Sequence, residues 1–218
     1  MHRVTKQIIC LGLLLGAAAS ARATSYTLGQ LVNVQEVGIG PHETAMIHSS
    51  TLGNLTTEAG IVKLLVDGSA LDAFCIDPYQ YSSSASNVYT VADLATSPVP
   101  AMGAAAALTV EKLWADFFTT ATTNSTVAAG LQIAIWETVA GSNFSVIGSD
   151  FGAAGMITAA NAQVSTANLL ALTSKTFQDY GIQVPMSSVP DGGTTVSLLG
   201  LGFIGLGLAK LGLRRYAS

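Results

Sequence analysis

Apolar runs of near-spanning length occur in this chain only at its two ends, and they decide which residues are left to build a fold. The first runs from Ile8 to Ala19 behind Arg3 and Lys6, and closes on Ala21-Arg22-Ala23. A basic start, a short apolar stretch and small residues two apart form the pattern of a cleavable export signal, with cleavage expected between Ala23 and Thr24. The alternative is an anchor that stays attached, but the run is short for a span. Cys10 does not fit a lipidation site, because Ile9 stands before it where a small residue is needed.

The second run reads from Thr194 to Leu213, counting Lys210, whose long side chain can reach an interface. It follows Val189-Pro190-Asp191-Gly192-Gly193 and precedes Arg214-Arg215. A basic pair after a span stays cytoplasmic, which puts residues 24–189 outside. Gly200, Gly202, Gly205 and Gly207 permit close helix packing. Taken alone, these residues also fit an ordinary single-span anchor. A short motif, a single span and a terminal Arg cluster in that order resemble the PEP-CTERM class of exosortase sorting signals. In place of the usual Val-Pro-Glu-Pro, the chain carries Val-Pro-Asp-Gly-Gly, closer to the VPDSG-type variant. The resemblance implies an exosortase-like processing enzyme as partner, transient insertion in the inner membrane, and release to the cell surface or extracellular matrix.

The organisation that follows is a signal peptide at 1–23, one domain at 24–184, a linker and sorting motif at 185–193, a transmembrane helix at 194–213 and a basic tail at 214–218. A chain that is 50% hydrophobic and 10% charged is not disordered. Residues 24–189 hold three basic and twelve acidic residues, a net of −9, which excludes nucleic-acid binding by phosphate neutralisation. Such a surface is soluble and can steer cations. His42 and His48 lack zinc-protease spacing, and the core shows no Gly-rich phosphate loop, so no metal or cofactor is expected.

Up to about Tyr89 the core reads as β. Tyr26–Val37 is one strand; Ala59–Val66 and Leu71–Ile76 flank the turn Asp67-Gly68-Ser69. The period then becomes helical. Val110, Leu113, Trp114, Phe117 and Phe118 place a helix over Leu108–Thr119, with Thr109 as its N-cap. A second helix is expected over Ser125–Val139, capped by Ser125 and ended by Gly141, and a third near Ala153–Leu172. Thr176–Val184 reads as a closing strand. Ser82–Ser86 and Ser97–Gly103 read as loops. The expected class is α+β: sandwich- or barrel-like strands with an inserted helical portion, plus the signal peptide and the single transmembrane helix.

Loss of the first 23 residues leaves one cysteine, Cys75, so no internal disulfide can form. A lone thiol outside the cell is either a small buried hydrophobe or a reactive group. It lies in Phe74-Cys75-Ile76-Asp77. Downstream, Gln132 stands inside the apolar stretch Leu131-Gln132-Ile133-Ala134-Ile135-Trp136. A buried, unpaired carboxamide is costly and needs a reason. The pair resembles the Cys–Gln thioester domains of bacterial surface proteins, where an aromatic–Cys–aliphatic–acidic segment links to a Thr-Gln-x-Ala-aliphatic-Trp motif. Cys75, Gln132, Ala134 and Trp136 match; Leu131 replaces the Thr. The resemblance implies a Cys75–Gln132 thioester that captures an amine on a partner surface or polymer once per molecule, which is not enzymatic turnover. Asp77 would assist the leaving amine and Trp136 would wall the site. Tyr79 and Tyr81 follow the cysteine and are either ordinary loop aromatics or part of a binding surface. Two rival readings stay open: a non-reactive matrix protein with an inert buried cysteine, and a cysteine hydrolase using His42 or His48.

Overall fold

The computed structural model describes residues 25–184 other than Val99. The expected signal peptide, the sorting motif, the apolar run at 194–213 and the basic tail lie outside the described residues. Among the described residues no helix is long and apolar enough to cross a membrane.

Seven strands form one antiparallel sheet: β1 (Leu31–Ser49), β2 (Gly53–Val66), β3 (Ser69–Cys75), β4 (Asn87–Asp93), β5 (Phe144–Ile147), β6 (Leu169–Thr173) and β7 (Tyr180–Gln183). Their order is β2-β3-β7-β6-β4-β1-β5, and β1 also pairs with β2, so six of them close into a ring. Three helices, α1 (Gly103–Ala121), α2 (Ser125–Ala140) and α3 (Ala153–Ala162), lie with β5 between β4 and β6 in the chain. This is the sheet-rich α+β arrangement expected, with the helical portion inserted between strands.

The alternation of the strands sorts side chains into two cores. Val32, Val34, Val62, Leu64, Val66, Ala73, Val91, Leu172, Tyr180 and Ile182 form one cluster inside the ring. Ala45, Ile47, Ala59, Ile61, Phe74 and Ile76 join the other, built with Val110, Leu113 and Trp114 of α1 and Leu131 and Ile135 of α2. Phe74 meets Trp114 edge-on at 5.4 Å between ring centroids. Trp114 Nε1–H donates to Gln183 Oε1 at 2.9 Å, which pins α1 over β7.

The β2–β3 turn is tight. Asp67 and Gly68 both have positive φ, 48° and 80°, the requirement of a two-residue type I′ hairpin. Strand β1 is long because it serves two partnerships. Its start pairs with β4 over Leu31–Val34, its end pairs with β5 over Met46–Ser49, and β2 pairs with it from Val34 to Ser49 past register shifts between Glu36 and Gly38 and between Ile39 and His42.

Several boundaries differ from the sequence expectation, each for a local reason. Strand β1 starts at Leu31, after a turn in which Gln30 N–H donates to Thr27 O. Helix α1 starts at Gly103, so Thr109 is internal and its hydroxyl donates back to Ala105 O. Asn124, not Ser125, caps α2: Asn124 Oδ1 accepts from Val127 N–H, while the Ser125 hydroxyl donates to Glu43. Gly141 does end α2, with φ at 53°. Helix α3 stops at Ala162, and Leu169–Thr173 is instead strand β6, paired on both sides; a short apolar run buried on both faces has no period to separate strand from helix. The closing strand β7 starts at Tyr180 because Asp179 Oδ1 holds Ser174 N–H at 2.6 Å across a preceding turn.

Packing of α2 sets a clear test. A Cβ at Gly130 would stand 2.5 Å from Phe151 O and 2.8 Å from Met156 Cε, whereas one at Gly155 in α3 meets nothing within 4 Å. Gly130→Ala should cost about 1–3 kcal/mol in a urea titration. Gly155→Ala should be neutral or stabilise by up to about 1 kcal/mol through helix propensity.

Candidate functional site

Strand β3 outruns its neighbour β2. Their last pair is Ala73 with Val62, while on the other side β3 continues beside β7 to the pair Cys75 and Tyr180. The backbone N–H and C=O of Cys75 are therefore left without a strand on the β2 side. Gln132, reaching down from α2, fills that place with its side chain. Cys75 N–H donates to Gln132 Oε1 at 2.9 Å, and Gln132 Nε2 donates to Cys75 O at 2.8 Å. The backbone groups fix which end of the carboxamide is which, since only the oxygen can face an N–H. Both residues are buried, at 2% and 1% exposure.

The thiol lies against α2 as well. Trp136, one helical turn beyond Gln132, donates its indole N–H to Cys75 Sγ at 3.2 Å. Sγ also donates to Asp77 O and accepts from Asp77 N–H, both at 3.3 Å. Burial pushes the thiol well above its ordinary pKa, with the nearby Asp77 carboxylate adding to the shift and the indole donor opposing it. Asp77 is 1% exposed. Its Oδ1 accepts from Tyr79 N–H at 2.8 Å, while Oδ2 has no hydrogen-bond partner among the described residues. Burial raises its pKa to about 6.

Thus Cys75, Gln132, Asp77 and Trp136 meet at one point although Cys75 and Gln132 are 57 residues apart. Tyr79 is partly buried beside them and Tyr81 is exposed. His42 pairs with Glu58 at 3.3 Å, and His48 Nδ1 lies 2.7 Å from Asn54 Oδ1; both stand on exposed positions of β1. No group of His, Cys, Asp or Glu among the described residues is placed to hold a metal ion.

Asp179 joins the site without any sequence signal to announce it. It begins the approach to β7, its backbone O accepts from Ile76 N–H at 2.9 Å, and it is 2% exposed. Burial, together with the charge of Asp77, raises its pKa to about 7. Gln178 was equally silent in sequence; its Nε2 donates to Asp77 O at 3.4 Å. Both residues come from the far end of the domain and reach Cys75 only through the β3–β7 pairing.

Comparison with known families matches the VPDSG-CTERM motif at residues 188–210. That match supports an exosortase-type sorting signal on an exported protein, and with it association with the cell surface or matrix. No curated protein and no solved structure matches the chain.

The two buried acids set a pH dependence. Each has a folded pKa above the ordinary 3.8, so the folded state holds more protons than the unfolded state between about pH 4 and pH 7. Their contribution to stability is present below pH 4 and is lost as pH rises through 6 and 7. The urea midpoint should therefore fall from pH 4.5 to pH 8, and an Asp77→Asn, Asp179→Asn double variant should flatten that fall.

Proposed function

We propose that Cys75 and Gln132 form an internal thioester, and that the exported domain uses it to capture a nucleophile on a partner surface or polymer. One observation carries the reading: the Gln132 carboxamide is held against Cys75 by two hydrogen bonds to that residue's own backbone. In the forming step, the Cys75 sulfur attacks Cδ of Gln132. The Cys75 N–H already bonds Oε1, the atom that becomes negative, and so acts as an oxyanion donor. The C–N bond breaks, and Nε2 leaves as ammonia with the proton released from the thiol. Fixed proximity lowers the barrier for attack on an otherwise unreactive amide. To Asp77, raised to about 6 and with Oδ2 unpartnered among the described residues, the reading assigns the role of the acid that hands that proton on. In the capture step, an amine attacks the same carbon, the C–S bond breaks, and an amide to the partner remains. The VPDSG-CTERM match supplies the delivery, carrying the domain to the surface or matrix where a partner is met.

A second reading is a non-reactive matrix protein. It is favoured by the same hydrogen bonds, which already satisfy the carboxamide, and by the burial that suppresses the thiolate.

Electrospray mass of the intact exported protein separates the two. The expected mass is one ammonia below that of the unmodified chain, with an adduct after methylamine treatment and neither effect in Cys75→Ala. An unreduced mass with a titratable thiol in native protein would sink the thioester. Asp77→Asn should slow the appearance of the ammonia deficit after refolding by about a hundredfold, the lower range for a general acid.

A further inference from the structure

Trp136 stands between the buried sulfur and a cavity. Its indole N–H contacts Sγ, and its ring helps wall a cavity of about 100 Å³. Leu52, Leu55, Pro78, Gln80 and Gln178 contribute to the remaining walls, and none of the cavity's lining residues is charged. Gln80 also lines a second, wider cavity of about 760 Å³, so its side chain is shared by the two. Gln80 Oε1 is buried and has no hydrogen-bond partner among the described residues.

The wide cavity has a particular chemistry. Thr90, Thr173, Ser174 and Thr176 line it with hydroxyls, beside Asp179 and Lys175. Two of those hydroxyls are held in place. Ser174 Oγ accepts from the N–H groups of Thr176 and Phe177, which leaves its O–H to donate outward. Thr173 Oγ1 donates to Thr90 O, which leaves its lone pairs to accept. Val88 is the one apolar residue in the lining, and no aromatic ring is present. Alternating fixed donors and acceptors suit a polyhydroxylated ligand.

The narrow cavity selects the nucleophile. With no charged wall, it disfavours an ammonium ion, whose desolvation would go uncompensated. A lysine amine, with a pKa of about 10.4, must give up its proton to enter. An amine on a sugar ring is less basic, because the surrounding oxygens withdraw electrons, so more of it is neutral near pH 7.

We propose that these two cavities communicate across Gln80 and receive an amino sugar within a partly N-acetylated polysaccharide, with the chain in the wide cavity and the amine directed past Gln80 and Trp136 toward Gln132. This inference rests on the thioester reading. Gln80 Oε1 accepts a hydrogen from the incoming amine. The amine nitrogen attacks the thioester carbon, the C–S bond breaks, and the departing Cys75 sulfur takes the proton that the amine loses.

The test follows adduct formation by intact mass at pH 7. The purified exported protein is treated with partly N-acetylated glucosamine oligosaccharide, with Nα-acetyl-lysine methylamide, or with methylamine. The oligosaccharide should react at least about tenfold faster per free amine than the lysine derivative, as its larger neutral fraction requires. Fully N-acetylated oligosaccharide should give no adduct and should slow the reactive one by competition. Gln80→Ala and Thr173→Val should each bring the oligosaccharide-to-lysine rate ratio down toward one. Equal rates, or a faster lysine derivative, would overturn the amino-sugar proposal and point to a protein partner. In that event the ammonia deficit and the methylamine adduct would still stand, so the thioester would survive. Absence of both would remove the thioester and this inference together.

Discussion

The side chain of Gln132 takes the place of a missing strand, and much of the domain's architecture is arranged around that substitution. Strand β3 continues past the point where β2 stops pairing with it, leaving the Cys75 amide and carbonyl buried on one side. Unpaired backbone groups in such a place cost about as much as a lost hydrogen bond each. The carboxamide satisfies both, and in doing so fastens α2 to the mouth of the ring. Any nucleophilic role for Cys75 depends on this pairing, because it holds the carbon that the sulfur would have to reach.

The same region is short of positive charge. The three lysines of the described residues are Lys63, Lys112 and Lys175, and Lys63 is committed to Asp72 at 2.7 Å on the outside of the β2–β3 hairpin. Asp77, Asp179 and the Cys75 thiol lie close enough to repel one another, with no buried cation among the described residues to balance them. Tyr89 and Tyr180 add two more groups pushed upward by burial, and Tyr180 donates its hydroxyl to Glu36 at 3.1 Å. Burial therefore makes the charged form of each of these groups less favourable than in water, and it disfavours a standing thiolate.

How far this was legible from the chain differs from residue to residue. Asp67-Gly68 between two apolar runs specifies its hairpin outright, since only such residues accept positive φ in succession. Gln132 announced itself because a carboxamide amid Leu, Ile and Ala must find a partner, and Cys75 stood out once export left it alone. What stayed hidden was whatever depended on distant pairing. The continuation of β1 past Gly38, Gly40 and Pro41 is supported by its pairing with β2 on both sides of the irregularity between Ile39 and His42, not by local propensity. Strand β5 is four residues long and exists because the end of β1 offers it an edge. Leu169–Thr173 looked helical because neighbours on both faces remove the alternation. Asp179 and Gln178 enter the site through the register of β3 with β7, which no local pattern records.

Helix α2 has a consequence beyond the folded state. Every residue from Ala128 to Trp136 is buried, so the helix has no polar face and reads as a nearly continuous apolar segment. An exported chain crosses a bilayer unfolded, and there such a segment is tested against lipid before it can meet the sheet. Sixteen residues of helix extend about 24 Å, short of a hydrocarbon layer of about 30 Å. Gln132 stands midway in the apolar stretch, where a carboxamide has least to bond with in lipid. The residue that secures the helix after arrival thus also helps the segment pass through without lodging on the way.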